Sequence, residues 1–236
     1  MYSDGHNEVF AESRDLASIQ SSFITKVYGW MCFALSITGV VALLVATNPE
    51  VVNIIFGNRI LLFGLFIAEF VIVVGLAGFI NRISAQTATA IFIAYSALNG
   101  VTFAAIFLVY TASSIASTFF ITAGTFGTMS LYGYVTKRDL TKLGNLLFMA
   151  LIGLIIASVV NMFWSNSILY WITTYAGVII FVGLTAYDTQ KIKAMASAVD
   201  GDFESGRKCA VMGALSLYLD FINLFLFLLR IFGSRR

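Results

Sequence analysis

Long uncharged stretches separated by short charged clusters set the pattern of this chain. Positions 83–136 run for 54 residues, and positions 143–187 for 45, without an Asp, Glu, Lys or Arg. About 20 residues cross the hydrocarbon core of a bilayer as a helix, so each stretch predicts two spans joined by a short uncharged turn. Polar residues at 111–114 and 165–167 mark those turns. A further span is predicted at 27–46, ended by Thr47-Asn48-Pro49, where the only proline stops the helix. Others are predicted at 60–80 and 209–232. The total is seven, which predicts an all-α membrane protein: a polar amino-terminal tail over 1–22 and a seven-transmembrane-helix bundle over 23–236. Gly75 with Gly78, and Gly124 with Gly127, are expected to let helix backbones approach closely, because membrane helices associate by packing.

Composition agrees with this reading. Hydrophobic residues make up 59% of the chain and charged residues 11%, well outside the range of an ordinary soluble domain. The net charge of +2 is too small to point to nucleic acid. Cys32 and Cys209 both fall at or inside apolar segments, so no disulfide framework is expected. The single histidine, His6, lies in the polar tail, which removes histidine-dependent triads and the usual zinc ligand sets from the membrane region. The polar first twenty residues argue against a signal peptide. Placing the amino terminus in the cytoplasm puts ten of the fourteen basic residues on that side, among them Arg82, Lys137, Arg138, Lys142, Lys191 and Lys193. Arg59, Arg230, Arg235 and Arg236 then lie opposite. A last segment folded back to the cytoplasm would relieve that local excess, although seven full spans are preferred.

Three acids interrupt the apolar segments: Glu69, Asp188 and Asp220. A carboxylate near the bilayer centre costs about 2.5 to 3.5 kcal/mol on insertion scales, and such residues mark function by default. Asp188 stands sixteen residues before Glu204, and Asp220 sixteen after it. Around the polar turn at 201–206, an antiparallel hairpin would place the two carboxyls at one level, roughly 18 Å from its tip at the helical rise. Two desolvated carboxyls in contact cannot both ionise cheaply, so the pair would titrate as one coupled unit, a pH sensor. Doubly ionised, it would repel or attract a cation, and hard oxygen ligands of this kind suit Ca²⁺.

Plainer readings stand beside these. Asp188 is three residues from Lys191 and could be an interfacial residue satisfied by it. Glu69 either completes an acidic site or pairs with Asn99 or Asn223. Arg82 either reaches Asp188 as a counter-charge or snorkels to headgroups. Lys137, Arg138 and Lys142 read as topology signals more than as a ligand site. Tyr187 and Tyr218 either donate hydrogen bonds to the neighbouring acids or belong to an interfacial belt.

The run Gly183-Leu184-Thr185-Ala186-Tyr187-Asp188-Thr189-Gln190-Lys191-Ile192, followed by Gly213-Ala214-Leu215-Ser216-Leu217-Tyr218-Leu219-Asp220-Phe221-Ile222-Asn223-Leu224-Phe225, resembles the Bax-inhibitor-motif membrane family. Residues 113–119 and 132–140 are similar to its bacterial inner-membrane branch. The resemblance implies a seven-helix fold with six helices around the last, and a calcium leak gated by pH. It places the family's paired aspartates on Asp188 and Asp220, where calcium would bind transiently, its second-helix acid on Glu69, and its arginine latch only approximately, near Arg82. No cofactor is implied beyond calcium as the transported ion. The partners implied are the lipid bilayer and calcium ions, and in bacteria a membrane AAA protease.

Two other classes bear comparison. Intramembrane aspartyl proteases also carry a Tyr-Asp in one helix and an Asp in the next, but they have Gly-x-Gly-Asp around the second acid and a later Pro-Ala-Leu. This chain has Leu217-Tyr218-Leu219-Asp220 and a single proline, Pro49, so no enzyme activity is expected. A non-transporting regulator that binds a membrane partner through its helices is the main alternative to a leak.

Overall fold

The structure, a computed structural model, describes the backbone of residues 4–198 and 203–236 and the side chains of residues 18–196 and 204–236. It is helical, with eight α-helices among the described residues: α1 (Asp4–Ala46), α2 (Pro49–Phe56), α3 (Arg59–Phe79), α4 (Ala85–Val109), α5 (Ala112–Val135), α6 (Thr141–Trp164), α7 (Ser167–Ala198) and α8 (Phe203–Phe232). Among the described residues six spans are long and apolar enough to cross a membrane: Ser18–Ala46 in α1, Arg59–Arg82 in α3 and the 3-10 turn after it, Ala85–Val109 in α4, Thr141–Trp164 in α6, Ser167–Ala196 in α7 and Glu204–Phe232 in α8. This is an integral membrane protein, and its large exposed apolar residues, such as Ile60, Phe70, Phe148 and Phe163, face the hydrocarbon rather than water.

Side-chain caps define where the helices begin. An uncapped helix start leaves backbone N–H groups without partners, and Asn, Ser, Thr or Asp supplies the missing acceptor. Asn48 Oδ1 accepts from the amides of Glu50 and Val51 at 3.1 and 3.3 Å, with Pro49 in the first turn. Asn58 repeats the arrangement for α3. Ser84, Thr111 and Asn166 do the same for α4, α5 and α7. Pro49 therefore starts a short helix, α2, where the sequence reading had only the stop of the preceding span. Likewise Thr111 is the cap of α5, so the α4–α5 connection is shorter than the predicted 111–114 turn. The 165–167 turn is close to prediction, with Ser165 in the left-handed conformation at φ 46°.

The last helix is the most enclosed. In its most apolar stretch 72% of α8 is buried, against 6% for α3 and 11% for α6. Helices α1, α4, α5 and α7 pack directly along it, while α3 and α6 form a second rank, on α4 and α7 respectively. Among the described residues the closest packing on α8 thus comes from four helices, with α3 and α6 farther out. Leu217, Tyr218, Leu224 and Leu229 are wholly enclosed.

Close backbone approach occurs, but at other glycines than those expected. A Cβ added at Gly75, Gly78, Gly124 or Gly127 would meet nothing within 4 Å, so these residues do not serve helix packing. A Cβ at Gly133 of α5 would instead run into the Ala186 carbonyl of α7, and one at Gly144 of α6 into the Tyr187 ring. Both sites press on the turn of α7 that carries Asp188. Gly100 of α4 is another, against the Thr38 carbonyl and Val41 of α1.

One end of the bundle is also tied. Tyr110 and Arg235 form an antiparallel bridge, with Thr111 N donating to Ser234 O at 3.0 Å and Arg236 N to Val109 O at 2.9 Å. The Arg230 guanidinium lies 5.5 Å from the Tyr170 ring centre at the start of α7. Because α8 is continuous over 30 residues, its basic end is about 45 Å from its start. A fold-back of the last segment is overturned by that continuity and by its anchorage at the α4–α5 turn.

Candidate functional site

Asp188 and Asp220 are brought together. Helix α7 supplies the first, flanked by Thr185 and Thr189, whose hydroxyls donate back to the carbonyls of Phe181 and Thr185 at 2.7 and 2.8 Å. These self-satisfied side chains can be buried without penalty, and Tyr28 OH meets Thr189 Oγ1 at 3.1 Å, fixing α1 against α7. Helix α8 supplies Asp220, which is 4% exposed. The two carboxyl groups are in hydrogen-bonding reach of each other. Asp220 Oδ2 is buried and has no hydrogen-bond partner among the described residues. A hydrogen bond between the two carboxyls requires a proton on one of them, since two carboxylates both only accept. Of the 201–206 turn used to align the pair, 201–202 lie outside the described residues, and 203–206 are not a turn but the start of α8.

Lys191, one turn along α7, acts electrostatically on Asp188. Arg82 is placed elsewhere: it is exposed at the end of a 3-10 turn (Ile80–Arg82), its guanidinium 5.7 Å from the Phe79 ring centre. It forms no salt bridge among the described residues.

Glu69 of α3 is half-buried, and its partner is neither Asn99 nor Asn223. Thr102 Oγ1 lies 2.9 Å from Glu69 Oε1 and 2.9 Å from the Asn99 carbonyl, with one proton to serve both. The Asn99 amide donates to Tyr95 OH at 2.9 Å, and the Asn223 amide to the Leu219 carbonyl at 2.8 Å. Tyr95 meets Tyr218 edge-on at 5.8 Å. Tyr218 does not serve Asp220; its hydroxyl meets Thr38 Oγ1 at 2.7 Å. Thr38 spends its own proton on the Ala34 or Ser96 carbonyl, so Tyr218 is the donor in that pair. A polar line thus runs from α1 through α8 and α4 to Glu69.

One cavity of about 960 Å³ connects the acids. It lies between the second-rank helices α3 and α6 and is lined by Glu69, Tyr95, Asp188, Lys191, Asp220 and Asn223, with apolar walls from residues such as Phe66 and Phe148. Among the described residues no group of three or more His, Cys, Asp or Glu is gathered closely enough to hold a metal ion. The carboxyl and amide oxygens on the cavity wall are hard donors that do not converge as a closed cage. Thr102 and Gln190 escaped the sequence reading. Thr102 is three residues from Asn99, a helical spacing that puts both on one face. Gln190 is two residues past Asp188, but nothing local indicates that it reaches the distant 136–140 connection.

The family model described as "Inhibitor of apoptosis-promoting Bax1" matches residues 20–236. The chain belongs to the Bax inhibitor family. Among its relatives, the Escherichia coli K12 protein named "Inner membrane protein YbhL" is 55% identical over 91% of this chain and 92% of its own length. An uncharacterized protein of Borreliella burgdorferi is 49% identical over 92% of this chain and 94% of its own. An uncharacterized membrane protein of Streptococcus pyogenes serotype M6 is 35% identical over 90% of this chain and 93% of its own. Family membership thus extends over both aspartate-bearing helices and the Glu69 helix.

Proposed function

We propose that this protein is a calcium leak pathway of the bacterial inner membrane, gated by a proton shared between Asp188 and Asp220. The observation that carries this reading is the single cavity that reaches both carboxyls and Glu69. With one proton between them, the aspartates hold α7 and α8 together. When that proton leaves, two like charges in a poorly solvated site repel, and the freed oxygens become ligands for Ca²⁺. Glu69 extends the acidic path toward α3, and Lys191 is the one cation on the cavity wall.

In this reading α5 is the seventh span. Its 24 residues reach about 36 Å, although its hydroxyl-rich face makes it less apolar than the other six. The amino terminus is assigned to the cytoplasm from the distribution of Lys and Arg. The name of the Escherichia coli relative supports an inner-membrane location.

The test is reconstitution of the purified protein into dye-loaded vesicles, with Ca²⁺, Na⁺, K⁺ and proton gradients imposed in turn across a range of pH. Calcium flux that responds to pH near neutrality, and loses most of that response in Asp188→Asn or Asp220→Asn, is expected. A folded protein that carries nothing under any gradient would replace the leak with a regulator acting on a membrane partner, such as a membrane AAA protease.

A further inference from the structure

The basic residues between α5 and α6 have the look of topology signals along the chain, but the fold gathers them with a third cation 53 positions beyond Arg138. Lys137 and Arg138 share one cavity of about 370 Å³ with Lys191 of α7, alongside Asp139, Thr141 and Gln190. That volume is within the range of small-ligand pockets, about 300–1,000 Å³. No salt bridge among the described residues engages any of the three cations.

The rim is built, not incidental. Gln190 Nε2 donates to the Arg138 carbonyl at 2.8 Å, and Gln190 Oε1 accepts from the Leu140 amide at 2.8 Å. Moving the connection away from α7 would leave both backbone groups unpaired. Lys193 adds a bond of 2.9 Å to the Tyr134 carbonyl. Asp139 is the one opposing charge. Hydrogen bonds from Thr141, with Lys142 nearby, hold this exposed carboxyl below its usual value. Its Oδ1 accepts from the Thr141 amide at 2.8 Å, just ahead of α6. Three cations against one carboxylate leave the cavity with an excess of two positive charges.

We propose that this cavity binds a phosphate-bearing anion at the membrane surface, either the headgroup of an anionic glycerophospholipid or free phosphate. A guanidinium offers paired N–H groups to two phosphate oxygens, and the lysines add point charges from the other walls. The location fits, because the pocket lies at the mouth of the bundle, where α6 begins. Tyr187 and Lys191 line both this pocket and the larger acidic cavity, so an occupant would stand one helical turn from Asp188. This assignment does not depend on whether the protein conducts calcium.

The experiment is native mass spectrometry of the full-length protein, purified in detergent and titrated with phosphatidylglycerol or with zwitterionic phosphatidylcholine. Selective retention of phosphatidylglycerol is expected. Lys191→Gln should reduce it about fivefold, and Lys137→Gln with Arg138→Gln by more, from the energy of roughly one surface cation per charge removed. Lys142→Gln is the control, because Lys142 belongs to the same basic cluster but does not line the cavity. These changes leave the backbone bonds of Gln190 in place, and each variant is first checked for a monodisperse, helical fold. Displacement of the lipid by inorganic phosphate would identify a site open to the soluble anion; persistence would identify the lipid headgroup as the source. Equal loss in Lys142→Gln, or unchanged retention in Lys191→Gln, would reduce the effect to general surface charge and overturn the site.

Discussion

Individual side chains in this protein divide into those that satisfy themselves and those that depend on a distant partner. Thr185, Thr189 and Ser96 return their hydroxyls to their own helix, so their burial needs no tertiary help. Glu69 depends on Thr102 across two helices. Glu69→Gln is therefore expected to lower calcium flux in vesicles while leaving the protein folded, and Thr102→Val to lower it less, by misplacing the acid. Unchanged flux in Glu69→Gln would assign that residue to a structural hydrogen bond. Tyr218→Phe tests the other end of the polar line. Losing one buried hydrogen bond should cost about 0.5–1.5 kcal/mol, read as a lower midpoint of denaturant unfolding, without altering any pH response of flux. A change in the pH profile instead would draw Tyr218 into the gate.

At the scale of elements, α7 is held where it bears Asp188. Gly133 and Gly144 let α5 and α6 approach that turn, and Gln190 ties the α5–α6 connection to its next turn. Gly133→Ala should destabilise the bundle by about 1–3 kcal/mol, the usual cost of forcing a methyl group into a packed interface. Gly124→Ala and Gly127→Ala, which meet open space on the same helix, should be neutral in the same unfolding assay. Equal sensitivity at all three positions would mean that α5 packs on α7 by a different face. Glycine spacing alone could not have separated these cases, because the sequence records a small residue and not the neighbour that requires it.

For the whole molecule, the decisive question is whether the two aspartates act as one group. Asp188→Asn and Asp220→Asn should each remove most of the pH dependence of calcium flux, and the double substitution should add little, as for residues in direct contact. Simple addition of the two effects would separate them. For this pair Lys191→Gln is the control: if it alone abolishes the response, the sensor is an interfacial ion pair. Topology is tested by single cysteines in a chain lacking Cys32 and Cys209. Asp139→Cys and Glu204→Cys should be shielded from an impermeant thiol reagent in intact cells, and Ser234→Cys should react. The reverse pattern would invert the protein in the membrane.

The membrane class, most helix limits and the three intramembrane acids were all legible in the chain, because a bilayer imposes its thickness and its intolerance of charge on local sequence. The end of α1 was legible from Thr47-Asn48-Pro49, whereas the short helix α2 was missed and α8 begins at Phe203, six residues before the predicted 209. The meeting of Asp188 and Asp220 was suggested by their equal spacing about Glu204, but α7 ends at Ala198 and α8 already begins at Phe203, so the acids stand ten and seventeen residues from those ends and equal counts do not account for their meeting. What crosses between helices distant in sequence was decided only by the tertiary structure. That includes Thr102 as the partner of Glu69, Thr38 as the partner of Tyr218, the glycines that serve close approach, the cavity between α3 and α6, and the joining of Lys191 to Lys137 and Arg138. Each of these depends on which face of one helix turns toward another, and nearly uniform apolarity around a membrane helix erases the periodicity that would have revealed it.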